Sequence, residues 1–452
     1  MSCARSIVLV VISLAFSFSA PAASPANQAV AKTLLSAATT STNACARLAY
    51  MCDTFGPRFS GSTNLEAAID WVMTEMKRDG FSNVHGEPVT IPRWVRGRES
   101  LELIAPHTRS MPMLGLGGSI ATPKEGITAR IFVVKSFEDL ATNKAKAAGR
   151  IVVFNVPYED YHKTVAVRTR GAIEASRAGA VASLVRSITP VSLQTPHTGN
   201  MSYEDGVPKI PHAAITIEDA ELLQRLQDRG ESPVLLLKME ATTISNGLSR
   251  NIIADIPGSE KPNEIVLVSG HIDSWDVGQG AQDDGGGCIA AWESARLILK
   301  SGLKPRRTIR VVFWTNEENG LGGAKAYAAA HAASLDKHVA AIESDSGIFK
   351  PTGFGLTGSE KAMTVLKSYA PLLEPLSATQ MEFGCRGADV LQLLSGGVPA
   401  MHLEVDRDRY FWYHHTSADT VDKVSPKDLN DCTATLAIMV WSLANSKEPL
   451  PR

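Results

Sequence analysis

The sequence predicts an α/β fold, a mostly parallel central sheet with helices on both faces, carrying an inserted β-rich domain. Three observations predict it. From residue 251 onward, apolar strand-like runs alternate with helical ones, a pattern that produces a parallel sheet covered on both sides. Over residues 106–244 the texture changes to short β-rich runs without a dense cluster of His and carboxylates. Finally, His, Asp and Glu recur at the C-terminal ends of the later strands, where open α/β sheets gather their ligands.

The chain begins with a targeting signature. Arg5 precedes an apolar run over residues 7–18, followed by Ala20, Pro21 and Ala22. A positive start, a short apolar stretch and a small-residue site predict a cleaved secretory signal over residues 1–22. A bilayer span needs ~20 apolar residues, so no membrane attachment is expected after cleavage. The expected destination is the periplasm or the extracellular space. At 452 residues and a net charge of -2, the chain is long enough for two domains. With no basic block, a nucleic-acid partner is excluded.

Cys3 falls in the signal, leaving Cys45, Cys52, Cys288, Cys385 and Cys432. No Cys-x-x-Cys pair exists, so neither a zinc knuckle nor a redox motif is present. On a helix, Cys45 and Cys52 stand about 10 Å apart, too far for a disulfide, and no disulfide framework is expected.

Residues 65–78 predict a helix, with Leu65, Ala68, Ile69, Val72 and Met76 as its apolar stripe. Thr63 with Glu66 forms a capping-box pattern, and Gly80 supplies the stop. Residues 23–105 and 245–452 are read as one discontinuous domain and residues 106–244 as the insert. Within the insert, ARIFVV and GRIVVFNV read as strands, GAIEASRAGAVASLVRS as helix-turn-strand, and IPHAAITIEDAELLQRL as strand into helix. In the second half, NIIADI, EIVLVSG, TIRVVFW, HVAAIES and VPAMHL read as strands, while GGGCIAAWESARLIL and GGAKAYAAAHAAS read as helices between them.

The chemistry lies at those strand ends. EIVLVSGHIDSWD delivers His271, Asp273 and Asp276; GAQDDGGG adds Asp283 and Asp284; TIRVVFWTNEE ends in Glu317 and Glu318. HVAAIESDSG carries Glu343 and Asp345, and YHHTSADT carries His414, His415 and Asp419. Imidazole and carboxylate suit zinc, and two ions ~3.5 to 4 Å apart can share a bridging carboxylate. Asp283, in a Gly-rich turn, is placed to bridge. Asp273 can accept the second imidazole N–H of His271. Of the adjacent Glu317 and Glu318, one can bind metal while the other acts on water. Asp345 and His415 complete the set. Asp284 reads as a helix cap, and His414 and His331 as structural.

These motifs resemble the co-catalytic zinc exopeptidases, the group that holds bacterial zinc aminopeptidases and glutamate carboxypeptidases. GHIDSWDVGQGAQDDGGG, WTNEENG, ESDSG and YHHTSADT carry the resemblance, and residues 106–244 resemble the protease-associated domain of that group. The resemblance implies that His271 and Asp345 bind one Zn2+, Glu318 and His415 a second, and Asp283 bridges. It further implies Glu317 as general base, Asp273 as the support of His271, dipeptide or short-peptide substrates with free termini, and a homodimer. Aminopeptidase action on longer peptides and a non-catalytic binding role on the same scaffold are the alternatives. A free carboxylate would need Arg, for which Arg386, Arg407 and Arg409 are candidates; Asp389 would grip an amine or cap a helix.

Overall fold

A computed structural model describes residues 24–452; the signal reading lies outside them. Two eight-stranded sheets organise the described chain. In spatial order the larger sheet runs Ser82–Val95, Thr242–Ile256, Arg307–Trp314, Lys261–His271, His338–Glu343, Ala400–Val405, Pro351–Thr357 and Gln380–Phe383. All five strands read from the second half of the sequence lie in it.

This sheet is less parallel than the sequence suggests. Its four central strands, from Arg307–Trp314 to Ala400–Val405, are parallel. The flanks are antiparallel where Thr242–Ile256 meets both neighbours and where Pro351–Thr357 meets Ala400–Val405. The reason is connection length. A parallel return needs a crossover of about a dozen residues, and the link over residues 344–350 is too short for one.

Both faces of the central strands are buried, so their residues alternate between two cores. Val266, Val268, Ile309, Val311 and Phe313 join the larger core under helices Pro25–Thr39, Asn43–Phe55, Thr63–Asp79, Gly286–Lys300 and Pro426–Asn445. Ile265, Leu267, Val312 and Trp314 point the other way, against Ala324 and Tyr327 of helix Gly322–Ala330. The second sheet draws its strands from residues 99–239. It begins with Glu99–Ala105, ahead of the boundary at 106, because that strand pairs with Val234–Met239. Helices Ala166–Arg177 and Ile217–Asp228 pack on its two faces.

All five cysteines in the described residues are free. No described helix is long and apolar enough to cross a membrane. The helix predicted at 65–78 spans Thr63–Asp79, with its whole predicted stripe buried and Gly80 left-handed at φ 96°. Its cap differs from the expectation. Ser62, not Thr63, is the N-cap: its backbone is extended and its hydroxyl accepts the Leu65 N–H at 3.1 Å. Thr63 is already helical, where its side chain cannot reach the free amides of the first turn. Ser62→Ala should therefore lower stability by about 1 kcal/mol, and Thr63→Ala by at most a few tenths, on chemical denaturation.

Candidate metal centre

The four parallel strands all end at one crevice. His271 closes its strand in register with Trp314, and Glu317 and Glu318 follow Trp314 on the neighbour. Asp345 lies just past His338–Glu343, and His415 follows the helical turn Tyr410–Tyr413 after Ala400–Val405. Asp283 sits in the turn Ala281–Gly285 that starts helix Gly286–Lys300. The first turn of that helix abuts the next strand end so closely that a Cβ on Gly287 would stand 1.9 Å from the Ser344 carbonyl.

The side chains converge in two sets. His271 Nε2 lies 3.3 Å from Asp283 Oδ1 and 3.4 Å from Asp345 Oδ1. His415 Nε2 lies 3.1 Å from Glu318 Oε2 and 3.4 Å from Asp283 Oδ2. Asp283 thus gives one oxygen to each set. Donors ~2.0–2.1 Å from a tetrahedral ion stand about 3.3 Å apart, close to the separation of each histidine nitrogen from its two carboxylates. Asp283 Oδ2 and Glu318 Oε1 are buried without any hydrogen-bond donor, a costly state for carboxylates unless a cation meets them. The donor set therefore fits divalent metal.

The protonation balance gives the same reading. Burial and the neighbouring carboxylates push Glu317 and Glu318 well above the usual carboxylate range. Burial opposes charge on His271, yet the Asp345 and Asp283 carboxylates outweigh it and hold the imidazole well above its ordinary value. Burial, with the adjacent His414, holds His415 well below it. So many acids crowded around two imidazoles demand added positive charge, as protons or as metal.

Asp273 supports the cluster differently from the expectation. His271 Nδ1 pairs with its backbone carbonyl at 3.0 Å, while its carboxylate stands 3.9 Å from that nitrogen. The carboxylate instead accepts the Glu317 N–H at 3.0 Å, the Glu318 N–H at 3.4 Å and the Ser60 hydroxyl at 3.1 Å. It orders the strand end that carries both glutamates. Glu317 itself lines the cavity without an ion pair to either histidine.

Several supports escaped the sequence reading. Asp419 accepts three consecutive amides, from Ala281 at 3.1 Å, Gln282 at 2.7 Å and Asp283 at 3.1 Å. Asp284 is more than a cap, because it accepts Gly287 N–H and also His271 N–H at 3.0 Å. Arg58 is fully buried and donates to the carbonyls of Ile272, Gly56, Gln279 and Gly280. His415 adopts φ 62°, a conformation of order 1 kcal/mol uphill for a non-glycine residue. Two bonds to the second sheet's side hold it there: Nδ1 to the Thr198 carbonyl, and Thr198 N–H to the His415 carbonyl.

The remaining candidates separate. Asp276 pairs with Arg96 at 2.5 Å. Asp389 stands at the N-cap of its helix without a side-chain capping bond and does not line the cavity; it packs against Glu343, which burial and the Asp345 charge push up to about 7. Arg409 lies over the Phe349 ring and Arg386 is tied to Glu404 at 2.6 Å. Arg407 lines the cavity without an ion-pair partner among the described residues. So does Arg168, which nothing in its sequence context singles out. It is buried, and its guanidinium bonds only the Tyr161 hydroxyl at 2.9 Å and the Thr198 carbonyl at 3.4 Å. The cavity measures about 460 Å³ and is walled by both sheets' segments. Asp419→Ala should release the 281–283 turn and lower metal affinity about tenfold or more, read by titration of the apo-protein with zinc; unchanged affinity would contradict its role.

Residues 251–440 match Peptidase family M28. Carboxypeptidase Q of Rattus norvegicus is 48% identical over 406 residues, covering 90% of this chain and 86% of its own. The Homo sapiens protein of the same name is 47% identical with the same coverage. The crystal structure of a peptidase M28 precursor from Shewanella amazonensis SB2B superposes with a TM-score of 0.91 at 37% identity, covering 94% of this chain and 98% of its own. A zinc aminopeptidase from Bacillus subtilis shares the fold, with a TM-score of 0.67 at 20% identity over 90% of this chain and 96% of its own. The chain belongs to peptidase family M28.

Proposed function

We propose that the protein is an exported two-zinc exopeptidase, similar to carboxypeptidase Q, that cleaves dipeptides and short peptides with free termini. The observation that carries the proposal is Asp283, whose two oxygens belong to two donor sets, each completed by one histidine and one further carboxylate. On this reading His271 and Asp345 hold one ion, His415 and Glu318 the other, and Asp283 bridges them. Zinc held there supplies a Lewis acid and lowers the pKa of bound water toward ~7.

The protein's own groups do the rest. Glu317 lines the cavity free of the histidines, so its carboxylate takes the proton from the attacking water and delivers it to the leaving amine. Asp273 holds the Glu317 amide and so aims that carboxylate. Arg168 supplies a buried guanidinium without a carboxylate partner, the group a free α-carboxylate needs. Export rests on the apolar run at residues 7–18 and the Ala20-Pro21-Ala22 site. We read the second sheet as an inserted protease-associated domain, and a homodimer follows from the family resemblance.

The reading is tested on purified mature protein with dipeptides bearing free, N-blocked and C-blocked termini, with and without chelator. Free dipeptides should be cleaved, and chelator should abolish turnover. Preference for blocked or long substrates would contradict the proposal. Glu317→Gln should keep its metal by elemental analysis yet lose at least about a hundredfold in kcat; a metal-replete, active variant sinks the base assignment. Arg168→Gln should raise KM for free-carboxylate dipeptides about tenfold or more, with little effect on amidated ones.

A further inference from the structure

A general base must be aimed, yet no histidine holds Glu317. Glu318 meets His415 at 3.1 Å, whereas Glu317 lines the cavity without an ion pair to either histidine. Its direction is set by its backbone, because the Cα–Cβ bond follows the two peptide planes beside it. Those planes are pinned. The Glu317 N–H donates to Asp273 Oδ1 at 3.0 Å, and the Glu317 carbonyl accepts the Gly320 N–H at 3.2 Å and the Leu321 N–H at 3.1 Å. The preceding residue, Asn316, sits at φ 63°, and its carbonyl accepts the Gly322 N–H at 3.0 Å.

Asn316 is buried, and its side chain is built into this turn. Asparagine tolerates the left-handed backbone better than most residues with a β-carbon. Its amide Nδ2 carries two hydrogens, and both have acceptors: Ser60 Oγ at 3.1 Å, and Asn319 Oδ1. Its Oδ1 fills the space beside Gly322, where a Cβ would stand 2.5 Å away. Ser60 is also buried, and its single hydroxyl proton goes to Asp273 Oδ2 at 3.1 Å. A ring of bonds therefore closes from Asn316 to Ser60, from Ser60 to Asp273, and from Asp273 to the Glu317 N–H. Bonds chained in this way in a buried setting reinforce one another. The ring is braced from outside the turn, since the Arg58 N–H donates to Ser274 Oγ at 3.0 Å and the Ser274 N–H to the Arg58 carbonyl at 3.3 Å.

We propose that Asn316 is a positioning residue: its left-handed backbone and its amide, braced on Ser60, aim the Glu317 carboxylate at the attacking water. The proposal rests on the peptidase reading above. The two adjacent glutamates respond differently to loss of the ring. Glu318 is also held at its carboxylate end, by His415, and stays in its donor set. Glu317 has only its backbone to direct it, so the ring acts on the base and not on the metal.

The test uses the zinc-loaded full mature chain and a dipeptide with free termini. N316G accepts the left-handed backbone but lacks the amide. It should keep wild-type zinc content by elemental analysis and a KM within about threefold, while losing about tenfold or more in kcat. S60A breaks the ring at the next bond and should show the same split. The deciding arm adds N316G to E317Q. With no carboxylate left to aim, the residual kcat of E317Q should change by less than about twofold. If N316G does not fold, S60A alone and in E317Q makes the same comparison. A wild-type kcat in N316G would overturn the proposal, and so would loss of zinc from it. The same tenfold loss in the E317Q background would overturn it in favour of a general role in holding the turn. Failure of the metal-loaded wild type to cleave any dipeptide would instead overturn the peptidase reading, and this proposal with it.

Discussion

The structure depends on one carboxylate in two places at once. Asp283 presents Oδ1 toward His271 and Asp345, and Oδ2 toward His415 and Glu318. A short acid on a rigid turn can do this. Much of the surrounding architecture holds that turn. Asp419 grips its three amides, Arg58 ties the carbonyls of Gln279 and Gly280 just before it, and Gly287 lets the following helix lie against the next strand end. These supports are buried polar groups that would be destabilising if left unpaired, and each is satisfied by the backbone it positions.

The second sheet is part of this machinery. Its side of the crevice supplies Thr198, whose carbonyl leaves His415 with Nε2 free to face the donor set. It also supplies Arg168 and Tyr161 to the cavity wall. The junction between the two sheets is tight: Trp275, two residues beyond Asp273, lies where a Cβ on Gly117 would be, at 2.2 Å. Arg96 bridges the same junction through Asp276 and Thr198. An element that on sequence alone looks like an accessory insertion therefore orients one of the histidines of the centre.

Much of the fold was legible because strand and helix periodicities are local. The apolar stripe of residues 65–78 and the five strands of the second half could be read without knowing their partners. The antiparallel flanks could not, since they follow from which strands become neighbours. The cluster was legible for a related reason. Parallel strands bring their C-terminal ends together, so His and acids there must meet, and the structure does bring His271, Asp283, Glu317, Glu318, Asp345 and His415 to one crevice. Asp273 turns its carbonyl to the imidazole and its carboxylate to the glutamates' backbone, a division between main chain and side chain that residue identity does not carry. Arg58 and Thr198 left no trace because their partners are distant in sequence and are mostly backbone atoms, which carry no residue identity. Only Asp419 offered a signal, as a buried-type acid close to a ligand histidine, but its partners were invisible.

The central claim is that one aspartate joins two donor sets, each able to hold an ion. Anomalous diffraction at the zinc edge from crystals of the zinc-loaded protein tests it most directly. The account predicts two peaks flanking Asp283, ~3.5 to 4 Å apart, one beside His271 and the other beside His415. A single peak, or a second one bound away from Asp283, would contradict it.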